Sequence, residues 1–141
     1  MHVLFLAPDT HVYNHGFLRA LKELGAKVSA IGMTPAEKMS PAARHLLDGY
    51  RHCGLMLDVP ALQRSARELA NPGFDAIETI DEPLVEPAAA LREQLGVPGL
   101  PLRTAKLCRD KVAMKEFLRK NAIPCAHSAS VTSHADAHAQ R

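Results

Sequence analysis

The hydrophobic positions of this chain fall first into short unbroken runs and then into stripes of helical period. Val3-Leu4-Phe5-Leu6-Ala7 is a continuous apolar run stopped by Pro8-Asp9-Thr10, as expected of a parallel strand buried on both faces. Phe17, Leu18, Leu21 and Leu24 then recur at i, i+1, i+4 and i+7. That spacing predicts a helix over 14–24, closed by Gly25. Lys27 to Ile31 reads as a second strand, ended by Gly32.

Further on, Pro41 to Leu47 predicts a short helix with proline at its start. His52 to Leu57 is expected to form a third strand. Asp58 can cap a helix reaching Ala70, with Leu62, Ala66 and Leu69 turned inward. Asn71-Pro72-Gly73 is a turn, Ala76 to Ile80 a fourth strand, and Pro87 to Leu95 a helix ended by Gly96. Strands alternating with helices of these lengths imply an α/β fold with a doubly wound parallel sheet. Residues 97–102 then break the pattern as a linker. Thr104 can cap one helix from Ala105 to about Asn121, and Ile123-Pro124-Cys125 ends it. Thr132 to Asp136 reads as a helix opening with Ser133 as cap, barely two turns before Arg141, so a continuation is expected.

Composition narrows the class. In 141 residues, 47% are hydrophobic and 23% charged, which excludes wholesale disorder. No apolar run approaches the ~18 residues of a membrane span, and the N-terminus lacks the basic region and apolar length of a signal peptide. With neither, no membrane partner is expected, and three cysteines without metal spacing fit a reducing, cytoplasmic setting. The net charge of +2 conceals a division. Residues 1–100 carry nine basic and twelve acidic side chains, and residues 101–141 carry eight and three. A basic C-terminal part points to an anionic partner, either nucleic acid or a phosphate-bearing ligand. Phe117 is its sole aromatic residue, too few for a base-stacking surface, so no nucleic acid is expected. The alternatives are a nucleotide phosphate, which is favoured, and a plain solvated face.

In an open parallel sheet, ligands gather beyond the carboxyl ends of the strands. Asp9-Thr10-His11-Val12-Tyr13-Asn14 follows the first strand, which makes Asp9, Thr10 and Asn14 candidate substrate-loop residues. The loop after the fourth strand supplies Asp81, Glu82 and Glu86, able to position an amine or a metal-bound group. The simpler alternative has Asp81 and Glu82 ending the strand and Glu86 complementing the dipole of the next helix. Neither GxGxxG nor GxxxxGK[ST] occurs. On a single helix over 105–121, Leu107, Lys111, Met114 and Leu118 share one face. A lysine within that apolar stripe either snorkels along it or meets an anion in a cleft. His134 and His138, at i and i+4, could share a metal, but no acidic third ligand supports them. The remaining histidines, His11 among them, show no mutual spacing and default to surface or loop roles.

The run Leu107-Cys108-Arg109-Asp110-Lys111-Val112-Ala113-Met114-Lys115, followed by Asn121-Ala122-Ile123-Pro124-Cys125, resembles the entry into the ATP-grasp domain of biotin carboxylase-like and carbamoyl-phosphate-synthase-like enzymes. There a DK pair opens a helix that ends in a GIPxP-type turn. Asp75-Ala76-Ile77-Glu78, the Glu82-Pro83 loop, the helix around Ala88-Ala89-Ala90-Leu91-Arg92, Leu95-Gly96-Val97-Pro98-Gly99 and Leu24-Gly25-Ala26 are similar too. The resemblance implies a Rossmann-like pre-ATP-grasp domain over 1–100, with 101–141 as linker and incomplete start of the ATP-grasp domain. It implies a parent ligase that uses Mg-ATP to make an acylphosphate from a carboxylate and join it to an amine or similar nucleophile. Lys111 would contact the nucleotide phosphates, and Glu86 would face the substrate. Asn121 stands where that turn has glycine and is expected to take its left-handed conformation. ATP and Mg²⁺ belong to the complete enzyme on this reading, and none is expected bound tightly to these 141 residues, which alone would not turn over. The expected partners are the small-molecule substrates and the rest of the ATP-grasp domain, and a homodimer is allowed. The alternative is a non-catalytic Rossmann-like module that binds a ligand or docks a partner.

Overall fold

A computed structural model describes residues 1–128 and Val131, in two compact units divided between Leu102 and Arg103. The first unit holds four strands, β1 (His2–Leu6), β2 (Lys27–Gly32), β3 (Gly49–His52) and β4 (Ala76–Glu78). Its helices are α1 (Asn14–Glu23), α2 (Pro41–Arg44), α3 (Val59–Leu69) and α4 (Val85–Leu95). The strands are all parallel, in the order β3-β2-β1-β4. Every residue of β1 is buried, so this central strand carries no polar alternation. It pairs His2 with Lys27 through Leu6 with Ile31 on one side, and Leu4 with Ile77 on the other.

Successive side chains of a strand point to opposite faces, and two cores follow from that period. Leu4, Leu6, Ile31 and Ile77 pack with Leu62 and Ala66 of α3 and Ala88 and Leu91 of α4. Val3, Phe5, Val28 and Ala30 pack on the opposite face with Leu18 of α1. The fold is therefore α/β, a parallel sheet covered by helices on both faces, as the alternation of elements predicts.

Three expectations are corrected. The third strand is Gly49–His52 and not 52–57. An edge strand needs one neighbour and no continuous apolar run, so Gly-Tyr-Arg-His qualifies, while Leu55 and Leu57 are exposed. The helix expected over 105–121 is two, α5 (Leu102–Arg109) and α6 (Lys111–Lys120). Asp110 divides them: its extended backbone (φ −87°, ψ 101°) leaves the helix, and its Oδ1 accepts from the Val112 and Ala113 N–H groups at 2.9 and 3.0 Å. With the axis interrupted there, Leu107 and Lys111 do not lie on one helical face. Lastly, the left-handed residue after α6 is Ala122 (φ 55°), while Asn121 keeps φ −101° and its Nδ2 donates to the Phe117 carbonyl. The helix opening and the histidine pair anticipated beyond residue 131 lie outside the described residues.

Candidate functional site

The chain runs from β1 outward through β2 to β3, then crosses back to place β4 on the other side of β1. The loops after β1 and β4 therefore diverge, and such a switch point opens a crevice at the carboxyl ends of the strands. A cleft of about 500 Å³ lies there. Thr10, His11 and Tyr13 from the first loop and Ile80 to Leu84 from the second line it, with Ala7, Met33, Met56 and Leu57.

The first loop is held by its own polar residues. Ala7 adopts φ 55°, its N–H donates to the Ile31 carbonyl at 2.8 Å, and its carbonyl accepts from Asn14 Nδ2 at 2.7 Å. Asn14 is fully buried at the start of α1, so it pins the turn rather than reaching the cleft. Asp9 Oδ2 accepts from the Thr34 N–H at 2.8 Å, fastening the loop to the end of β2. Tyr50 closes this bracket by donating its hydroxyl to the Thr34 carbonyl at 2.6 Å. Burial first, and then the Asp9 carboxylate, hold that phenol far above its usual range, so it stays a donor. Gly32 is required here, because a Cβ would overlap Asp9 Oδ1 and come within 2.7 Å of the Tyr50 oxygen.

Of the sequence candidates, Thr10 and Glu82 line the cleft. Asp9 and Asn14 support its floor, and Glu86 sits half-buried in the first turn of α4, outside the lining. Lys111 is the first residue of α6, exposed, with Nζ donating to the Cys108 carbonyl at 3.2 Å. Its apolar-stripe rationale falls with the break at Asp110, and its nucleotide role rests on the family likeness alone.

Two residues gain importance from the structure. Asp81, which the simpler sequence reading leaves as a strand terminus, is only 8% exposed. Its N–H donates to Thr79 Oγ1 at 3.1 Å, and that hydroxyl reaches the Leu6 carbonyl at 3.5 Å, tying the second loop to β1. His11 lies across the cleft with Nε2 3.7 Å from Asp81 Oδ1, its ring stacked on Tyr13 at 4.8 Å. The available signal was position, since each lies in a loop that follows a strand. Spacing between histidines could not reveal a partner 70 residues away.

No protein-family model and no curated protein matches the chain. Solved structures do. An L-amino acid ligase from Bacillus licheniformis superposes with a TM-score of 0.77 at 22% identity, over 96% of this chain and 34% of its own. Phosphoribosylglycinamide synthetase from Anaerococcus prevotii gives 0.75 at 20% identity, over 96% and 32%. The biotin carboxylase domain of a single-chain bacterial carboxylase gives 0.70 at 21%, over 99% and 34%. The chain thus spans about a third of the length of these proteins. Its fold is that of the N-terminal part of ATP-grasp enzymes.

Proposed function

We propose that this chain is the N-terminal portion of an ATP-grasp ligase, with the cleft between the β1 and β4 loops receiving a substrate. The likeness over 96% of this chain to about a third of an L-amino acid ligase carries the reading. Residues 1–100 serve as the pre-ATP-grasp domain and residues 101–141 as the opening of the ATP-grasp domain. The parent joins a small carboxylate to an amine or similar nucleophile, working in the cytoplasm, a setting in keeping with the free thiols of Cys53, Cys108 and Cys125.

ATP, when bound with Mg²⁺, supplies the phosphoryl group that converts the carboxylate to an acylphosphate. Lys111 suits a phosphate contact, being exposed and, among the described residues, held by one backbone carbonyl. On the family likeness, the Mg²⁺ ligands belong to the remainder of the parent; among the described residues no group of three His, Cys, Asp or Glu side chains suited to a metal occurs. Within this chain, Thr10, Asp81 and Glu82 orient the substrate, and the Asp9 and Asn14 anchors hold the loop that carries Thr10.

The test is to read the encoding DNA past Arg141 and assay the longer product. A glycine-rich loop and a strand bearing a second lysine are expected. ADP release should depend on both a carboxylate and an amine, and Lys111→Ala should raise KM for ATP about tenfold, the scale of one charge-assisted hydrogen bond. Absence of such a segment in every frame, or of any ATP turnover by the longer protein, would sink the proposal.

A further inference from the structure

The cleft contains a carboxylate oxygen whose hydrogen bonding is incomplete. Asp81 Oδ1 is buried and meets no hydrogen-bond donor among the described residues. His11 Nε2, at 3.7 Å, lies within ion-pair distance when its ring is charged but beyond hydrogen-bond range, so the oxygen still lacks a donor. A carboxylate so placed is strongly unfavourable until a donor reaches it. A cationic donor supplies the missing bond and more charge compensation than a neutral one. An oxygen recessed below the cleft surface suits the compact head of an ammonium better than the planar, two-pronged guanidinium. Around it, Met33, Met56, Leu57, Ile80 and Leu84 offer only carbon and sulfur side-chain atoms.

We propose that the cleft selects a substrate bearing a primary ammonium on an apolar body, with Asp81 Oδ1 accepting from the ammonium and the aliphatic wall covering the carbon chain. The inference rests on the ligase reading and assigns this cleft to the amine partner, with Asp81 as its specificity-determining residue. The bonds from Thr79 to the Asp81 N–H and the Leu6 carbonyl fix where that ammonium must stand, against the ends of β1 and β4.

The 141-residue protein, labelled with nitrogen-15, is titrated separately with isopentylamine, isopentyl alcohol and isovalerate while amide shifts are followed. The amine should shift the amides of Thr10, Ile80 and Asp81 saturably and bind at least about tenfold tighter than the alcohol of the same shape. Asp81→Asn, close in size, should erase that margin while leaving the spectrum dispersed. Equal binding of amine and alcohol, tighter binding of isovalerate, or an unchanged margin in Asp81→Asn would overturn the assignment. Should the variant fail to fold, the comparison of amine with alcohol on the unaltered chain decides. ATP turnover by the longer protein without amine preference in this cleft would refute the assignment and leave the ligase reading intact. An amine preference without turnover would do the reverse.

Discussion

Ala122 carries a side chain where its backbone favours none. Its N–H donates to the Arg119 carbonyl and the Ile123 N–H to the Leu118 carbonyl, the paired bonds that close a helix through a left-handed residue. Gly25 (φ 74°) and Gly96 (φ 67°) close α1 and α4 in the same way. Glycine escapes the clash of Cβ with the backbone in that region, whereas alanine does not. Ala122→Gly should therefore stabilise α6 by about 1 kcal/mol, read as slower amide exchange across 111–120. Faster exchange would mean that the methyl group makes contacts worth more than the strain. Sequence reasoning placed this strain one residue early, on Asn121, because Asn tolerates the conformation and Ala does not advertise it. Asn14 and Asp9 were legible as loop residues but not as anchors, since their partners are backbone groups, which have no signature in sequence.

Among the elements, β1 was plain from its unbroken apolar run, while β3 was not, because an edge strand of mixed composition resembles a loop. The break between α5 and α6 could have been read from Asp110, a good N-cap, had the apolar spacing not favoured one continuous helix. His2 shows how elements are tied at the other end of the sheet. Its ring contacts the Gly73 carbonyl through Nδ1 at 2.6 Å and Ser29 Oγ through Nε2 at 2.9 Å, bracing β1 against β2 and the turn before β4. Burial lowers its pKa below the usual value, outweighing the Gly73 bond that favours the charged ring. The folded chain thus holds fewer protons than the unfolded chain, and stability falls as pH drops below about 6.5, the ordinary histidine value. Urea midpoints measured from pH 8 to 5 should decline less steeply for His2→Gln than for the unaltered protein. Parallel curves would remove His2 from that role.

At the scale of the molecule, the doubly wound α/β class was legible because alternation of elements survives small errors in their limits. The cleft's lining was not, because Thr10 and Asp81 meet only through the strand order. Both hydrophobic cores lie within the first unit. A chain shortened to residues 1–102 should accordingly unfold in one cooperative transition with a well-dispersed amide spectrum. A collapsed spectrum would show that the first unit does not fold alone. The strand order also sets a sequence of events. β1 meets β2 across a single helix, but its junction with β4 joins residues 73 positions apart, as between His2 and Asp75. Contacts so distant in the chain cost more loop entropy and tend to form late. The walls of the cleft come from either side of that junction, so the cleft exists only when the last strand has docked. Occupancy of the cleft would then report completion of the whole first unit, and a ligand held there would stabilise all of it at once.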